Sequence, residues 1–234
     1  FHGGVYLAAA MPCSMASASV WTRRAGGNDA ISLMVTVITN ASCFVVTPFL
    51  VLLLTGKEVQ NFDAREKVLE LSLLVLAPLL LGQLARRSDV IRAFCDRHRA
   101  LLGVATQVGL LSVIMLGAVK TGERLHAATA TSPKLLQIGI MLIAVLGIHT
   151  ATLLSGGFLA ALMGVSRRDG LAVAIAGSQK TLMIGLPMAG ELQTSILPLV
   201  AFHAGQLLID AIYAERQRRI GERLELRPAE AEVT

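Results

Sequence analysis

The chain has 234 residues, of which 54% are hydrophobic and only 16% are charged, and its mean hydropathy is +0.64. Soluble domains usually carry about a quarter of their residues as charged side chains, so this composition excludes an ordinary soluble domain and predicts an all-α polytopic membrane protein. The net charge of +5 does not indicate a nucleic-acid partner, because Lys and Arg cluster in alternate loops, as they do in the cytoplasmic loops of membrane proteins.

Taken in chain order, the apolar pattern predicts two broken helices and five continuous ones. The first broken helix lies near 5–27, with its break at 12–19, where Pro12 interrupts helical hydrogen bonding and Gly26-Gly27 ends the helix. The second broken helix covers 168–190. The continuous helices are predicted over 30–54, 66–86, 100–120, 134–164 and 193–214. Residues 1–214 would form the membrane bundle, and 215–234 a charged tail that frays into disorder.

The placement of the basic residues predicts the orientation of these helices. With the tail from Glu215 on the inside, the inside segments are 22–29, 86–99, 166–169 and that tail, and they hold most of the 21 Lys and Arg residues. This pattern favours a cytoplasmic C-terminus in a bacterial inner (plasma) membrane. Cys13, Cys43 and Cys95 have no spacing typical of a disulfide or zinc framework and are interpreted as small apolar residues.

Lys180 lies in the second break, within Gly177-Ser178-Gln179-Lys180-Thr181, and has only uncharged residues for several positions on both sides. A charge at membrane depth costs about 3 kcal/mol or more, so this lysine should face a polar cavity or a partner. Secondary transporters place their binding sites at broken helices of this kind. The breaks stand in comparable settings, one early and one late, as an inverted repeat would place them.

At these residues the chain resembles the bile acid:sodium symporter family, in its SBF-like branch. The matching positions are Met11, Ser17, Val20, Thr22, Gly26-Gly27-Asn28, Ser32, Thr36, Asn40, Thr47-Pro48, 177–182 and 185–187. The resemblance implies a ten-helix fold of two inverted repeats, with a core of two crossing broken helices beside a panel domain. The chain begins at Phe1 inside an apolar run, so about three helices of that plan are expected to be missing.

The resemblance also implies where solute and ions bind. Solute would bind between core and panel, and a sodium site would use Ser19, Ser32 and Thr36. The predicted solute- or ion-binding residues are Ser17, Ser19, Ser32, Thr36, Asn40, Ser178, Gln179 and Lys180. Sodium-coupled members have an acidic ligand where this chain has Ile175 and an asparagine where it has Lys180. Lys180 is therefore interpreted as replacing a sodium ion or carrying a proton, with Na⁺ or H⁺ as the coupling ion and no other cofactor.

Other polar residues in the apolar helices have simpler interpretations. His149 and His203 are expected to be satisfied packing residues rather than proton relays. Asp210 is expected to pair with Arg216 near the inner membrane interface. Pro12 and Pro187 are expected to mark the two breaks.

These observations favour a secondary transporter that moves a small organic anion, a bile-acid-like or carboxylate solute, by alternating access, with solute and membrane lipid as its partners. A cation/proton antiporter is an alternative, although neither break contains an aspartate. An intramembrane hydrolase would use Ser17 or Ser178 as nucleophile and Lys180 as base, but no motif of such enzymes accompanies them. A membrane protein that binds a solute for regulation without moving it also remains open.

Overall fold

The computed structural model describes residues 2–14, 17–55, 77–105, 135–192 and 194–231, with isolated positions between 69 and 119. The regular structure in these residues is helical, which confirms the predicted all-α class. The helices are α1 (His2–Ala10), α2 (Ser17–Arg24), α3 (Asp29–Thr55), α4 (Ala77–Ala85), α5 (Asp89–Arg97), α6 (Leu135–Leu162), α7 (Arg167–Ser178), α8 (Leu182–Glu191) and α9 (Leu197–Ala231). Much of the predicted helices 66–86 and 100–120, and the loops beside them, lies outside the described residues.

Within the described residues, four segments are long and apolar enough to cross a membrane. They are Asp29–Leu54, Leu135–Leu162, Arg167–Gly190 and Leu197–Leu224. A bilayer core needs roughly 20 apolar residues in a helix, and each segment exceeds that length. The prediction of an integral membrane protein is confirmed.

The chain divides into two compact units. The first comprises Phe1–Met11, Asn40–Lys134 and Met183–Val200, and the second comprises Pro12–Thr39, Leu135–Leu182 and Ala201–Thr234. In the first unit the Thr47 hydroxyl donates to the carbonyl of Ala10, the last residue of α1, over 3.1 Å. This bond satisfies one of the carbonyls that every helix end leaves without a helical partner.

The second unit has an apolar core where α6, α7 and α9 meet. Its buried members are Ala25, Leu153, Leu171, Ala174, Ile175 and Ala214, with Trp21, Ile209 and Tyr213 packed against them. Gly156 of α6 faces α7 so closely that a Cβ atom there would lie 3.2 Å from the Ala174 Cα. Small residues of this kind let membrane helices approach one another.

The predicted glycine stop of α2 is confirmed. Gly26 has φ +77°, and the Gly27 and Gly26 N–H groups donate to the carbonyls of Thr22 and Arg23 over 2.8 and 3.1 Å. This pair of bonds is the Schellman arrangement, which satisfies the last carbonyls of a helix. The chain then contacts the start of α7, because the Asn28 side chain donates to Asp169 Oδ1 over 2.8 Å.

Three helix boundaries differ from the sequence prediction. Helix α2 begins at Ser17, so the first break is shorter than 12–19. Pro187 lies inside α8 rather than at the break. Helix α9 continues past residue 214 to Ala231, and Arg218 pairs there with Glu215 and Glu222 at helical spacing. Such pairs stabilise an exposed helix by a few tenths of a kcal/mol each (~0.2–0.5).

Candidate functional site

The first break follows the end of α1. Residues 11–14 have no regular structure, and α2 starts at Ser17. Pro12 has no N–H to donate to a helix, and its ring also disfavours helical backbone at the residue before it. The Pro12 carbonyl accepts a hydrogen bond of 2.8 Å from the Thr181 N–H. The two breaks are therefore joined directly, backbone to backbone.

The second break consists of residues 179–181, between α7 and α8. Gln179 is extended, with φ −73° and ψ 145°. The side chain of Gln206 on α9 is fully buried. It forms hydrogen bonds with both backbone polar groups of Lys180. Its Oε1 accepts from the Lys180 N–H over 2.8 Å, and its Nε2 donates to the Lys180 carbonyl over 2.9 Å. One amide side chain thus satisfies the backbone groups that the unwound residue cannot pair within a helix.

A chain of buried polar side chains links both breaks to α6 and α9. Ser17 Oγ donates to Gln179 Oε1 over 2.7 Å, and Gln179 Nε2 donates to Asp210 Oδ2 over 2.7 Å. Asp210 Oδ1 lies 3.1 Å from His149 Nε2, and His149 Nδ1 lies 3.3 Å from the Ser178 carbonyl oxygen. His149 and Asp210 are both fully buried.

The interpretation that Asp210 pairs with Arg216 is wrong. Asp210 faces the interior, where it contacts His149 and Gln179, while Arg216 is exposed. Residues six apart on an α-helix point in very different directions, since each residue turns the helix by about 100°. His149 is a satisfied buried histidine, as expected, but its partners were not foreseen. One feature of the sequence could have indicated an interior position for Asp210: it is the one charged residue between 193 and 213.

Lys180 is partly buried. Among the described residues it forms no ion pair with a carboxylate. The Cys13 thiol is close enough to interact electrostatically with its ammonium group. His203 contacts the same region, because its Nδ1 lies 3.0 Å from Gln206 Nε2. Within the described part of the chain, no cluster of three His, Cys, Asp or Glu side chains is suited to a metal ion.

The predicted polar stripe on α3 is buried at Ser32, Thr36 and Asn40. The Thr36 hydroxyl donates to the Ser32 carbonyl over 2.8 Å, and Thr36 Oγ1 lies 3.5 Å from Cys13 Sγ. The Ser32 hydroxyl is buried and has no hydrogen-bond partner among the described residues. Asn40 belongs to the first unit, and Ser19 is buried on α2.

A Ser–Lys dyad is not assembled in this structure. The Ser178 hydroxyl donates to the Ile175 carbonyl over 3.1 Å, and the Ser17 hydroxyl is engaged by Ser14 and Gln179. A serine nucleophile needs its base within hydrogen-bond reach. Neither hydroxyl is hydrogen-bonded to Lys180, so the geometry gives the hydrolase alternative no support.

Comparison with known proteins identifies the class. Residues 1–219 match the SBF-like CPA transporter family, so the chain belongs to that family. The resemblance stated from the motifs is thereby confirmed. This is a family of transporters and not of enzymes.

Individual relatives extend this comparison. The chain is 28% identical to the uncharacterized protein PA2026 of Pseudomonas aeruginosa, over 92% of this chain and 65% of the relative. It is 26% identical to the "probable sodium/metabolite cotransporter BASS4, chloroplastic" of Arabidopsis thaliana, over 94% of this chain and 53% of the relative. It is 26% identical to sodium/bile acid cotransporter 7 of Danio rerio, over 89% and 63%. The chain thus spans between about half and two-thirds of the length of these relatives.

Proposed function

We propose that the chain belongs to a secondary transporter that moves a small organic anion across the membrane by alternating access. The names of two relatives, a sodium/metabolite cotransporter and a sodium/bile acid cotransporter, support this class of solute. The solute site would lie at the two joined breaks. The observation that carries the proposal is a lysine at the unwound centre of a broken membrane helix, with no acidic partner among the described residues.

The chemistry of Lys180 favours an anion. An ammonium group that leaves water loses hydration energy, which only an opposite charge or several acceptors can restore. The carboxylate or sulfonate of a solute would supply that charge. Because Gln206 holds the backbone of residue 180 on both sides, the base of the lysine side chain is fixed in position. A charge held in one position favours solutes that are anionic and whose anionic group can reach that position.

Ile175 supports the interpretation that Lys180 replaces a sodium ion. This position would be acidic in the sodium-coupled members that the chain resembles, but here Ile175 is fully buried in the apolar core of the second unit. It offers no oxygen ligand to a cation. The ammonium group of Lys180 would therefore take the place of the mobile cation that the sodium-coupled members bind.

The membrane orientation is part of the same proposal. Helix α9 continues beyond its apolar part into a segment rich in arginine. Basic flanks of membrane helices are typical of the cytoplasmic side. We therefore place the C-terminus in the cytoplasm and the protein in a bacterial inner membrane, a placement that cysteine labelling of intact cells would test.

Uptake by the purified full-length protein in proteoliposomes tests the function. The probes are radiolabelled cholate and radiolabelled butyrate, with inward sodium and proton gradients imposed separately. We expect uptake of at least one anion. The Lys180→Ala variant should lose most of this uptake, because the anion then enters a site without positive charge, whereas Lys180→Arg should retain part of it.

Arg87→Ala is the matched control, since it removes one positive charge from an exposed position. Equal uptake by Lys180→Ala and Arg87→Ala would reject the role of Lys180. Binding of the anion without uptake under either gradient would favour the solute-binding protein that does not transport.

A further inference from the structure

Both ring nitrogens of His149 contact an oxygen atom, and these contacts restrict where the ring hydrogens can lie. The Ser178 carbonyl oxygen can only accept a hydrogen bond, and His149 Nδ1 lies 3.3 Å from it. A hydrogen bond at this contact requires the hydrogen on Nδ1. In a neutral imidazole only one ring nitrogen is protonated, so Nε2 carries a hydrogen as well only when the ring is an imidazolium.

Asp210 stands opposite that second nitrogen. Its Oδ1 lies 3.1 Å from His149 Nε2, and both side chains are fully buried. Without a proton between them, two lone pairs would face each other at hydrogen-bond distance, and the carboxylate would be a buried charge without a counter-charge in the pair. Such a charge is strongly disfavoured away from water. With the hydrogen on Nδ1, one proton shared between Nε2 and Oδ1 leaves the pair without net charge.

The rest of the network holds hydrogens that do not titrate. Asp210 Oδ2 accepts from the Gln179 amide, and Gln179 Oε1 accepts the single hydrogen of the Ser17 hydroxyl. Ser17 Oγ also lies 2.8 Å from Ser14 Oγ. Amide and hydroxyl hydrogens stay bound at physiological pH. The proton between His149 and Asp210 is the one that this network can release.

We propose that the His149–Asp210 pair is the proton-binding site of the transport cycle, separate from the lysine that binds the solute. In the proton-release step the O–H or N–H bond of the pair breaks, its electron pair stays on the pair, and the proton passes to water. The net charge of the pair falls from zero to −1. The role in transport rests on the proposed function, which it deepens by naming the proton as the coupling ion.

Proton release would act on the second break through two contacts. His149 holds the Ser178 carbonyl, and Asp210 holds the Gln179 amide. After one proton is released, the remaining ring hydrogen can lie on Nε2 and donate to the Asp210 carboxylate, and Nδ1 then presents a lone pair to the Ser178 carbonyl. Two acceptors at this distance repel each other, so the contact of His149 with the end of α7 is lost. Proton occupancy and the geometry of the break are thereby coupled.

The surroundings of the pair are mostly apolar. The ring of Phe202 meets the His149 ring edge-on, with centroids 5.6 Å apart. The titratable neighbours of Asp210 among the described residues are the Cys13 thiol and the Tyr213 hydroxyl, both within electrostatic range. The Lys180 backbone and the His203 ring are hydrogen-bonded to Gln206, the Lys180 ammonium interacts with Cys13, and Arg167 acts on Tyr213. No described carboxylate other than Asp210 takes part in this network.

Asp210→Asn is a close mimic of the protonated pair. The amide nitrogen that this substitution introduces would donate to His149 Nε2, while the amide oxygen would still accept from Gln179 Nε2. The Nδ1 bond to Ser178 is unaffected, so the variant should fold with its breaks joined but should have no proton to release. Asp96→Asn, at an exposed carboxylate on α5, is the matched control.

Infrared difference spectroscopy of the full-length protein tests proton binding without reference to transport. Across a pH titration, wild type and Asp96→Asn should show a pH-dependent carboxyl or imidazolium band that Asp210→Asn lacks. Identical difference spectra for all three proteins would overturn the proton site.

Transport is measured on the same proteins with radiolabelled cholate in proteoliposomes. Solute exchange at equal pH on both sides should survive in Asp210→Asn, whereas stimulation by a proton gradient should be lost. Stimulation that persists in the variant, or uptake driven by sodium and not by protons, would overturn the coupling role. Absence of exchange in wild type would reject the proposed function, and the infrared result would still decide the proton site.

Discussion

The two helix breaks of the second unit are stabilised in different ways. The first contains a proline, and its contacts come from its own short residues: the Pro12 carbonyl and the hydroxyls of Ser14 and Ser17. The second contains no proline between residues 179 and 181. It is held by the long polar side chains of Gln206, Asp210 and His149, which lie on α9 and α6.

This difference shows which residues determine each break. A proline prevents regular helix at its own position regardless of the rest of the fold. Residues 179–181 have no such block, so their unwound state depends on partners that satisfy the exposed backbone groups. We therefore expect the second break to be more sensitive to substitutions on α6 and α9 than the first break is to substitutions of its own serines.

The largest effect is expected for Asp210→Leu. This substitution leaves His149 Nε2 and the Gln179 amide buried without a partner, and loss of one member of a buried pair costs about 3–5 kcal/mol. Chemical unfolding in detergent micelles would measure the loss. The control is Asp96→Leu, which alters an exposed carboxylate. Equal stability of the two variants would mean that the second break does not depend on α9.

Gln206→Leu should have the next largest effect. It removes both partners of the Lys180 backbone, and each buried group left unpaired costs about 1–3 kcal/mol. Affinity for the proposed anionic solute should fall as well, because Lys180 is no longer fixed in position. Unfolding and equilibrium binding of radiolabelled cholate would measure the two effects. Gln137→Leu, at an exposed position of α6, should change neither.

A smaller loss is expected in the first break. Ser17→Ala removes one neutral hydrogen bond to Gln179, which is worth about 1 kcal/mol. Ser17→Thr keeps the hydroxyl and should recover part of the stability in the same unfolding measurement. If Ser17→Ala were as damaging as Asp210→Leu, the proposed difference between the breaks would not hold.

The smallest effect is expected for Ser32→Ala. The Ser32 hydroxyl has no partner among the described residues, so its loss should change stability by less than about 0.5 kcal/mol. Melting temperatures in sodium and in potassium chloride would extend the test, since a bound ion stabilises the folded state by mass action. We expect the same values in both salts. Sodium-specific stabilisation of wild type that Ser32→Ala abolishes would instead support a sodium site at this hydroxyl.

The features visible in the sequence are those that local chemistry determines. Pro12 and the glycine pair Gly26-Gly27 act on the backbone next to them, and the helix ends they predict are observed. The interruption at 177–181 could be predicted because small and polar residues there replace an apolar run. The length of α9 was underestimated, because pairs such as Arg218–Glu215 extend a helix without any apolar pattern.

The network around the second break could not be predicted in the same way. Gln206 lies 26 residues from Lys180, and Asp210 lies 61 residues from His149. A single polar residue in an apolar helix is compatible with packing, capping or function, and the sequence does not show which helix it faces. Only the packing of α6, α7 and α9 brings these side chains together. The same distance in sequence explains why Asp210 was matched to the nearby Arg216.

The contact between Gln206 and residue 180 also has a consequence for timescale. Backbone hydrogen bonds within a helix can be exchanged only by unwinding it, and helix–coil relaxation takes about 0.1–1 μs. The two bonds of Gln206 depend instead on rotations about side-chain torsions, and α9 keeps all its helical bonds when they break. Rotamer changes of accessible side chains take picoseconds to nanoseconds. Release of Lys180 from Gln206 is therefore limited by the packing around one amide group and not by refolding of the backbone.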